Sequence, residues 1–196
     1  MDHKIDLRER PSSAVDARVL KSRAALRDAL IALTGEKPFA ELTVAEIAKR
    51  AAVGYATFFR HFPSKEALLA DIAESLIIQM LGLMGPLMQE TETRAASLEL
   101  ARFVAARRPL CHALLVGAGD AVRREITLRA IRLSSENLVG GLDDLPSELS
   151  SVHSVGATLN ILAWWLERGE AIGAEEMGAI LDRLVFAPLS TGRRKG

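Results

Sequence analysis

Tyr55, Thr57, Phe59, Arg60 and His61 crowd aromatic, hydroxyl and basic groups into one short stretch, AVGYATFFRHFPSKEALL, which begins at Ala52. That stretch also holds three of the six phenylalanines of the chain. Phe58 and Phe62 stand four residues apart and share one face of a helix, while Tyr55 and Phe59 share another. The first face is apolar enough to close a small core. The second, with Thr57, Arg60 and His61 around it, is a surface that could meet DNA. The surroundings are mildly basic: residues 1–66 carry 12 Lys and Arg against 9 Asp and Glu, and residues 67–196 carry 13 against 16. Net charge over the 196 residues is zero, which argues against a protein that coats nucleic acid without selection. Enzyme signatures are missing: there is no GxSxG, Gly-rich phosphate loop, HExxH or spaced His/Cys set. The adjacent carboxylates Asp143 and Asp144 read as turn chemistry.

The elements that must position this surface read as helices, since Ala, Leu, Arg and Glu dominate and period-two alternation is absent. The spacing predicts a helix from about Asp16 to Thr34, stopped by Gly35. A second starts after Thr43, whose pairing with Glu46 three residues on is a capping box. After Ala52-Val53-Gly54, with Gly54 free to turn or cap, a third helix spans Tyr55 to His61 and ends at Phe62-Pro63. Ser64 caps a fourth, expected to break near Gly82 and Gly85-Pro86. Further helices are predicted over 92–107, 109–117, 119–139, 148–168 and 174–187, with Pro109 in a first turn and a loop at 140–148. The second and third helices, short and joined by about three residues, have the layout of a helix-turn-helix. The expected fold is therefore all-α. A tail at 1–15 precedes a helix-turn-helix unit at 16–63 and a larger helical domain at 64–190.

The segment LTVAEIAKRAAVGYATFFRHFPSKEALL resembles the DNA-binding region of TetR-family transcriptional regulators, where T-V-x-x-I-A-x-x-A-G-V-S-x-x-T-F-Y-x-H-F-x-x-K-E-x-L is typical. WWLERG followed by AEEMGAILDRLV resembles the last two helices of many members. The resemblance implies a homodimeric, ligand-responsive repressor that binds a palindromic operator on double-stranded DNA. It implies that Thr43 and Lys65 contact phosphates, that Thr57 and His61 contact the backbone or nearby bases, and that Tyr55 and Arg60 read sequence. Two positions depart from the pattern. Phe59 stands where the family usually has Tyr, and Gly54 where it usually has Ser or Thr, so two phosphate contacts are lost. Tyr55 and a basic arm of Lys4, Arg8, Arg10 and Arg18 are the available compensation.

In the larger part, Val155, Leu159, Leu162 and Leu166 follow three- and four-residue steps, as do Ile180 and Leu184, and these stripes suit either a four-helix dimer contact or internal core. Met80, Met84 and Met88 recur every fourth residue. With Phe103, Cys111, His112, Leu115 and Trp164 they could line a pocket for an unknown small apolar or aromatic effector; ordinary core is the competing reading. Cys111 beside His112 is a poor metal motif, because adjacent helical residues diverge by about 100°. No metal or cofactor is expected. One cysteine excludes an internal disulfide, no N-terminal signal is visible, and every apolar run breaks short of a membrane span, so a cytoplasmic protein is expected. The rival classes are an all-α enzyme and a helical interaction module without DNA binding.

Overall fold

The computed structural model describes residues 12–89, 92–137, 146–169 and 171–190. All regular structure among them is helical. Helix α1 is Ser12–Thr34, and a 3-10 turn at Phe39–Glu41 leads to α2, Val44–Arg50, and α3, Tyr55–His61. Next come α4, Lys65–Gln89, α5, Thr93–Ala105, and α6, Arg108–His112, which continues into a π turn at Ala113–Gly117. The remainder is α7, Asp120–Asn137, α8, Ser147–Glu167, and α9, Ala174–Leu181, which passes through a π turn at Asp182–Phe186 into α10, Ala187–Ser190.

The expected boundaries of α2 and α3 are observed, and their causes are visible. Thr43 Oγ1 accepts the Glu46 N–H at 3.3 Å while the Thr43 N–H donates to Glu46 Oε2 at 2.9 Å, the two halves of the capping box. Ser64 Oγ accepts the Ala67 N–H at 3.1 Å and starts α4. The turn between α2 and α3 differs from expectation. Gly54 is extended at φ −67°, and Ala52 takes the left-handed conformation at φ 52°. The strain of the turn thus falls on a residue with a Cβ.

Helix α4 corrects a second expectation. It runs through Gly82, Gly85 and Pro86 to Gln89, because Leu81 and Met84 are buried on its inner face and tertiary packing outweighs the local breakers. It is also, among the described residues, long and apolar enough by composition to cross a membrane, with mean hydropathy 1.7. Its apolar residues serve the interior instead: Leu68, Leu69, Ile72, Ala73 and Ile77 are buried. One continuous cluster of buried side chains extends from Leu26 on α1 to Phe186 near the C-terminus. Its tightest helix pair is α5 with α9, where a Cβ on Gly178 would lie 2.9 Å from Leu98 Cα.

The tail at 1–11, including Lys4, Arg8 and Arg10, lies outside the described residues, as do 138–145 with Asp143 and Asp144.

Candidate functional site

Helix α3 is divided as its spacing requires. Phe58 and Phe62 are buried against Leu26, Leu30 and Ile47, in a small core closed by α1, α2 and the start of α4. Tyr55 and Phe59 face outward, 58% and 46% exposed, with ring centroids 5.1 Å apart in an edge-to-face pair. Arg60 beside them is exposed and pairs with none of the described residues. Thr57 is half-buried at the edge of this face, and Gly54 leads into it with no side-chain cap. Arg18 is exposed on α1.

Three residues of the expected DNA surface have other duties. Lys65 Nζ donates to the carbonyls of Phe39, Ala40 and Leu42 at 3.0, 3.1 and 2.7 Å, and lies 4.8 Å from the centre of the Phe39 ring. All three donors of the ammonium are committed, so Lys65 clamps the 3-10 turn and leaves no proton for a phosphate. Thr43 is similarly occupied. Its N–H donates to Glu46 and its hydroxyl donates 2.8 Å to Glu46 Oε2 while accepting the Glu46 N–H. Lys37 Nζ donates to the same carboxylate at 2.5 Å, and with the Thr43 bonds it holds the Glu46 pKa down at about 2. His61 is half-buried, its Nε2 2.7 Å from Ser22 Oγ, and ties α3 to α1. The Lys65 and His61 bonds link residues 23 to 39 positions apart, so spacing along the chain gave no warning of them.

Behind this unit lies a cavity of about 100 Å³, walled by α4, α5, the α6 π turn, α7 and α8. Met80, Met84, Phe103, Cys111 and Leu115 line it as expected. Burial raises the Cys111 thiol to about 12, against a small opposing pull from Arg107, so the wall it forms is neutral. His112 and Trp164 do not line it. His112 points outward, and Trp164 is 40% exposed with the Arg168 guanidinium 4.2 Å above its ring. The buried neighbour is Trp165, whose indole N–H donates to the Ile172 carbonyl at 2.8 Å. Sequence reading missed Ser134, Ser154 and Thr158, which put hydroxyl groups on the α7 and α8 walls. The available signal was a polar residue at each of these positions on an otherwise apolar helix face.

The expected dimer stripe is corrected for α8. Leu162 and Leu166 are buried in the chain's own core at 2% and 4% exposure, and Val155 and Leu159 line the cavity. The outward face of α8 instead carries Leu149, Gly156, Asn160 and Trp164, spaced seven, four and four, with Val152 at its margin. Helix α8 has apolar residues on both faces, and about 100° of rotation per residue decides which face turns inward. On the C-terminal helix Ile180 is half-buried and Leu184 is exposed.

Helix α4 joins the two regions. Asp71 pairs with Arg23 and with Arg27 of α1, the latter at 3.3 Å, and Arg27 also donates to Ser75. Glu74 pairs with Arg129 of α7 at 2.6 Å. One turn further along, the same helix presents Ile77, Met80 and Met84 to the cavity.

Comparison with known proteins agrees with this geometry. Residues 26–72 match the family model described as bacterial regulatory proteins, tetR family. No curated protein matches the chain. Among solved structures, a TetR transcriptional regulator from Streptococcus agalactiae is similar at 20% identity, over 88% of this chain and 98% of that one, with TM-score 0.59. Thermus thermophilus FadR, a TetR-family transcriptional repressor solved with lauroyl-CoA, is similar at 21% identity over 89% and 96%, with TM-score 0.60. Bacillus subtilis FadR, solved with stearoyl-CoA, is similar at 15% identity over 85% and 98%, with TM-score 0.64. At such identities the solved structures show the fold alone, and the family match places residues 26–72, the helix-turn-helix region, as similar to that of bacterial regulatory proteins of the tetR family.

Proposed function

We propose that the protein is a cytoplasmic repressor, not an enzyme, which binds a palindromic operator as a homodimer and releases it when an apolar ligand enters the cavity. The observation that carries the DNA-binding reading is the division of α3: Phe58 is fully buried while Tyr55, Phe59 and Arg60 face solvent one helix face away. Arg60 is the base-reading residue, suited to guanine O6 and N7. Tyr55 and Phe59 pack on sugars or thymine methyls, and Thr57 reaches a phosphate. The outward face of α8, with Leu184, supplies the contact between subunits, and two α3 helices then meet successive major grooves about 34 Å apart.

Release follows from α4. A ligand that wedges Met80 and Met84 apart moves the helix that holds α1 through Asp71 and α7 through Glu74. The two α3 helices then lose their shared register. Coupling of about 1–3 kcal/mol changes operator affinity by roughly 5- to 150-fold. The test is selection of bound fragments from random duplex DNA, then fluorescence anisotropy with the selected duplex. A palindromic consensus is expected, and weaker binding in the presence of a neutral apolar ligand small enough for the cavity. Failure to enrich any duplex at low salt overturns DNA binding. A consensus without a dyad overturns the homodimer.

A further inference from the structure

The cavity wall is apolar except at one place. Ser134 of α7 and Ser154 and Thr158 of α8 bring three hydroxyl-bearing side chains to it, and among the described residues no charged one lines it. Thr158 is 6% exposed, and its hydroxyl finds no hydrogen-bond partner among the described residues. That is unusual for a helical hydroxyl, which bonds a carbonyl three or four residues back when nothing better is offered. Ser150 Oγ on the same helix is also unpartnered but does not line the cavity; elsewhere such bonds are made. Ser97 Oγ donates to the Thr93 carbonyl at 2.7 Å, Thr127 Oγ1 to Arg123 at 2.9 Å, and Ser135 Oγ to Ile131 at 2.9 Å. A buried hydroxyl with neither donor nor acceptor satisfied is costly, and a ligand group can supply the missing bond. An ionised group is a different matter, since no cation stands in the wall to offset its desolvation.

We infer that Thr158 is the polar anchor of the cavity, and that the ligand is a neutral apolar molecule carrying one hydroxyl or carbonyl group, held at α8 by a hydrogen bond to the Thr158 hydroxyl. The inference rests on the cavity being the effector site. It adds selectivity: the hydroxyl discriminates between molecules of equal shape, which an all-apolar wall does only weakly.

The test uses the isosteric pair p-cresol and p-xylene, with p-toluate as the charged relative. Wild type, Thr158→Val and Thr158→Ser are compared by calorimetric titration and thermal melting. Free T158V is expected to melt above wild type, because an unpartnered hydroxyl gives way to a methyl of the same size. T158V should weaken p-cresol about tenfold and leave p-xylene unchanged or tighter. T158S, which keeps the hydroxyl, should retain the wild-type response to both and stands as the folded control. Equal changes for p-cresol and p-xylene overturn the anchor. Binding of p-toluate overturns the neutral class. A lower melting temperature for free T158V shows the hydroxyl already satisfied and overturns the premise. If neither p-cresol nor p-xylene binds wild type, the cavity is not a ligand site for molecules of this size, and the effector reading falls with the anchor.

Discussion

Replacing Lys65 with Met removes the ammonium and keeps most of the apolar stem. Three charge-assisted bonds at 2.7 to 3.1 Å disappear. A bond to a charged group is worth about 1.5–3 kcal/mol, but the three share one donor atom and are not additive. The buried Leu42 carbonyl loses its side-chain partner in a half-dry site, the Phe39 carbonyl keeps the Leu42 N–H at 3.1 Å, and Ala40 is exposed, so its carbonyl returns to water. One unsatisfied carbonyl at about 1–2 kcal/mol and one that loses its second bond, at up to about 1 kcal/mol, give a total of about 1–3 kcal/mol. For a chain of this length each kcal/mol moves Tm by about 2–4 °C, so K65M should melt roughly 2–12 °C below wild type by circular dichroism. Operator affinity is then measured at low temperature, where the variant is folded, across a salt series. If Lys65 is a clamp, the slope of log K against log salt is unchanged. A variant that melts within 1 °C of wild type and loses about 0.9 of slope per half-site identifies Lys65 as a phosphate contact and refutes the argument.

Ala52→Gly relieves the left-handed Ala52 while removing only an exposed methyl, and should stabilise the protein by about 0.5–1 kcal/mol; an unchanged or lower midpoint in urea counts against strain at that turn. Arg60→Ala should weaken the preferred operator by about 1–3 kcal/mol per half-site and erase preference at one base pair, with an unaltered circular dichroism spectrum. Uniform weakening across all sequences would make Arg60 a phosphate contact. The Glu46 pKa lies at about 2 in the folded chain against 4.5 for the free side chain, so its stabilising contribution is complete above pH 4.5 and is lost as pH falls toward 2. The difference in Tm between wild type and Glu46→Gln should accordingly be present at pH 7 and close over that window; a difference independent of pH contradicts the role of the charge.

The local order of the DNA-binding unit was legible because its causes are local. The Thr43–Glu46 capping box, the Ser64 cap and the four-residue spacing of Phe58 and Phe62 all act within a turn or two. What Lys65 and His61 do was not legible, since their partners lie 23 to 39 residues away and a basic side chain near DNA looks the same in sequence whether it bonds a phosphate or a carbonyl. Helix α8 misled for another reason. Its stripe of Val155, Leu159, Leu162 and Leu166 is real, but it meets the chain's own core, and the second stripe through Leu149 and Trp164 is fainter because Gly156 and Asn160 interrupt it. Pro86 shows the same limit in reverse: a strong local breaker is overridden once the helix around it has a buried face. The five cavity residues that were anticipated are the large apolar ones, whereas the small hydroxyl residues that define its chemistry carry little signal of their own.

Trp164 and Trp165 are consecutive, yet one is 40% exposed and the other 1%. They are the two tryptophans of the chain, so intrinsic fluorescence has two emitters in opposite media. Trp165, hydrogen-bonded to Ile172 with the Arg108 guanidinium 5.2 Å from its ring, emits from an interior site that acrylamide reaches poorly. Trp164 emits at longer wavelength from the outer face of α8, open to quencher in a lone subunit, and the homodimer proposed above would shield it. A spectrum resolved by quenching therefore follows subunit pairing on the red side and unfolding of the interior on the blue side, in one cuvette and without an attached dye.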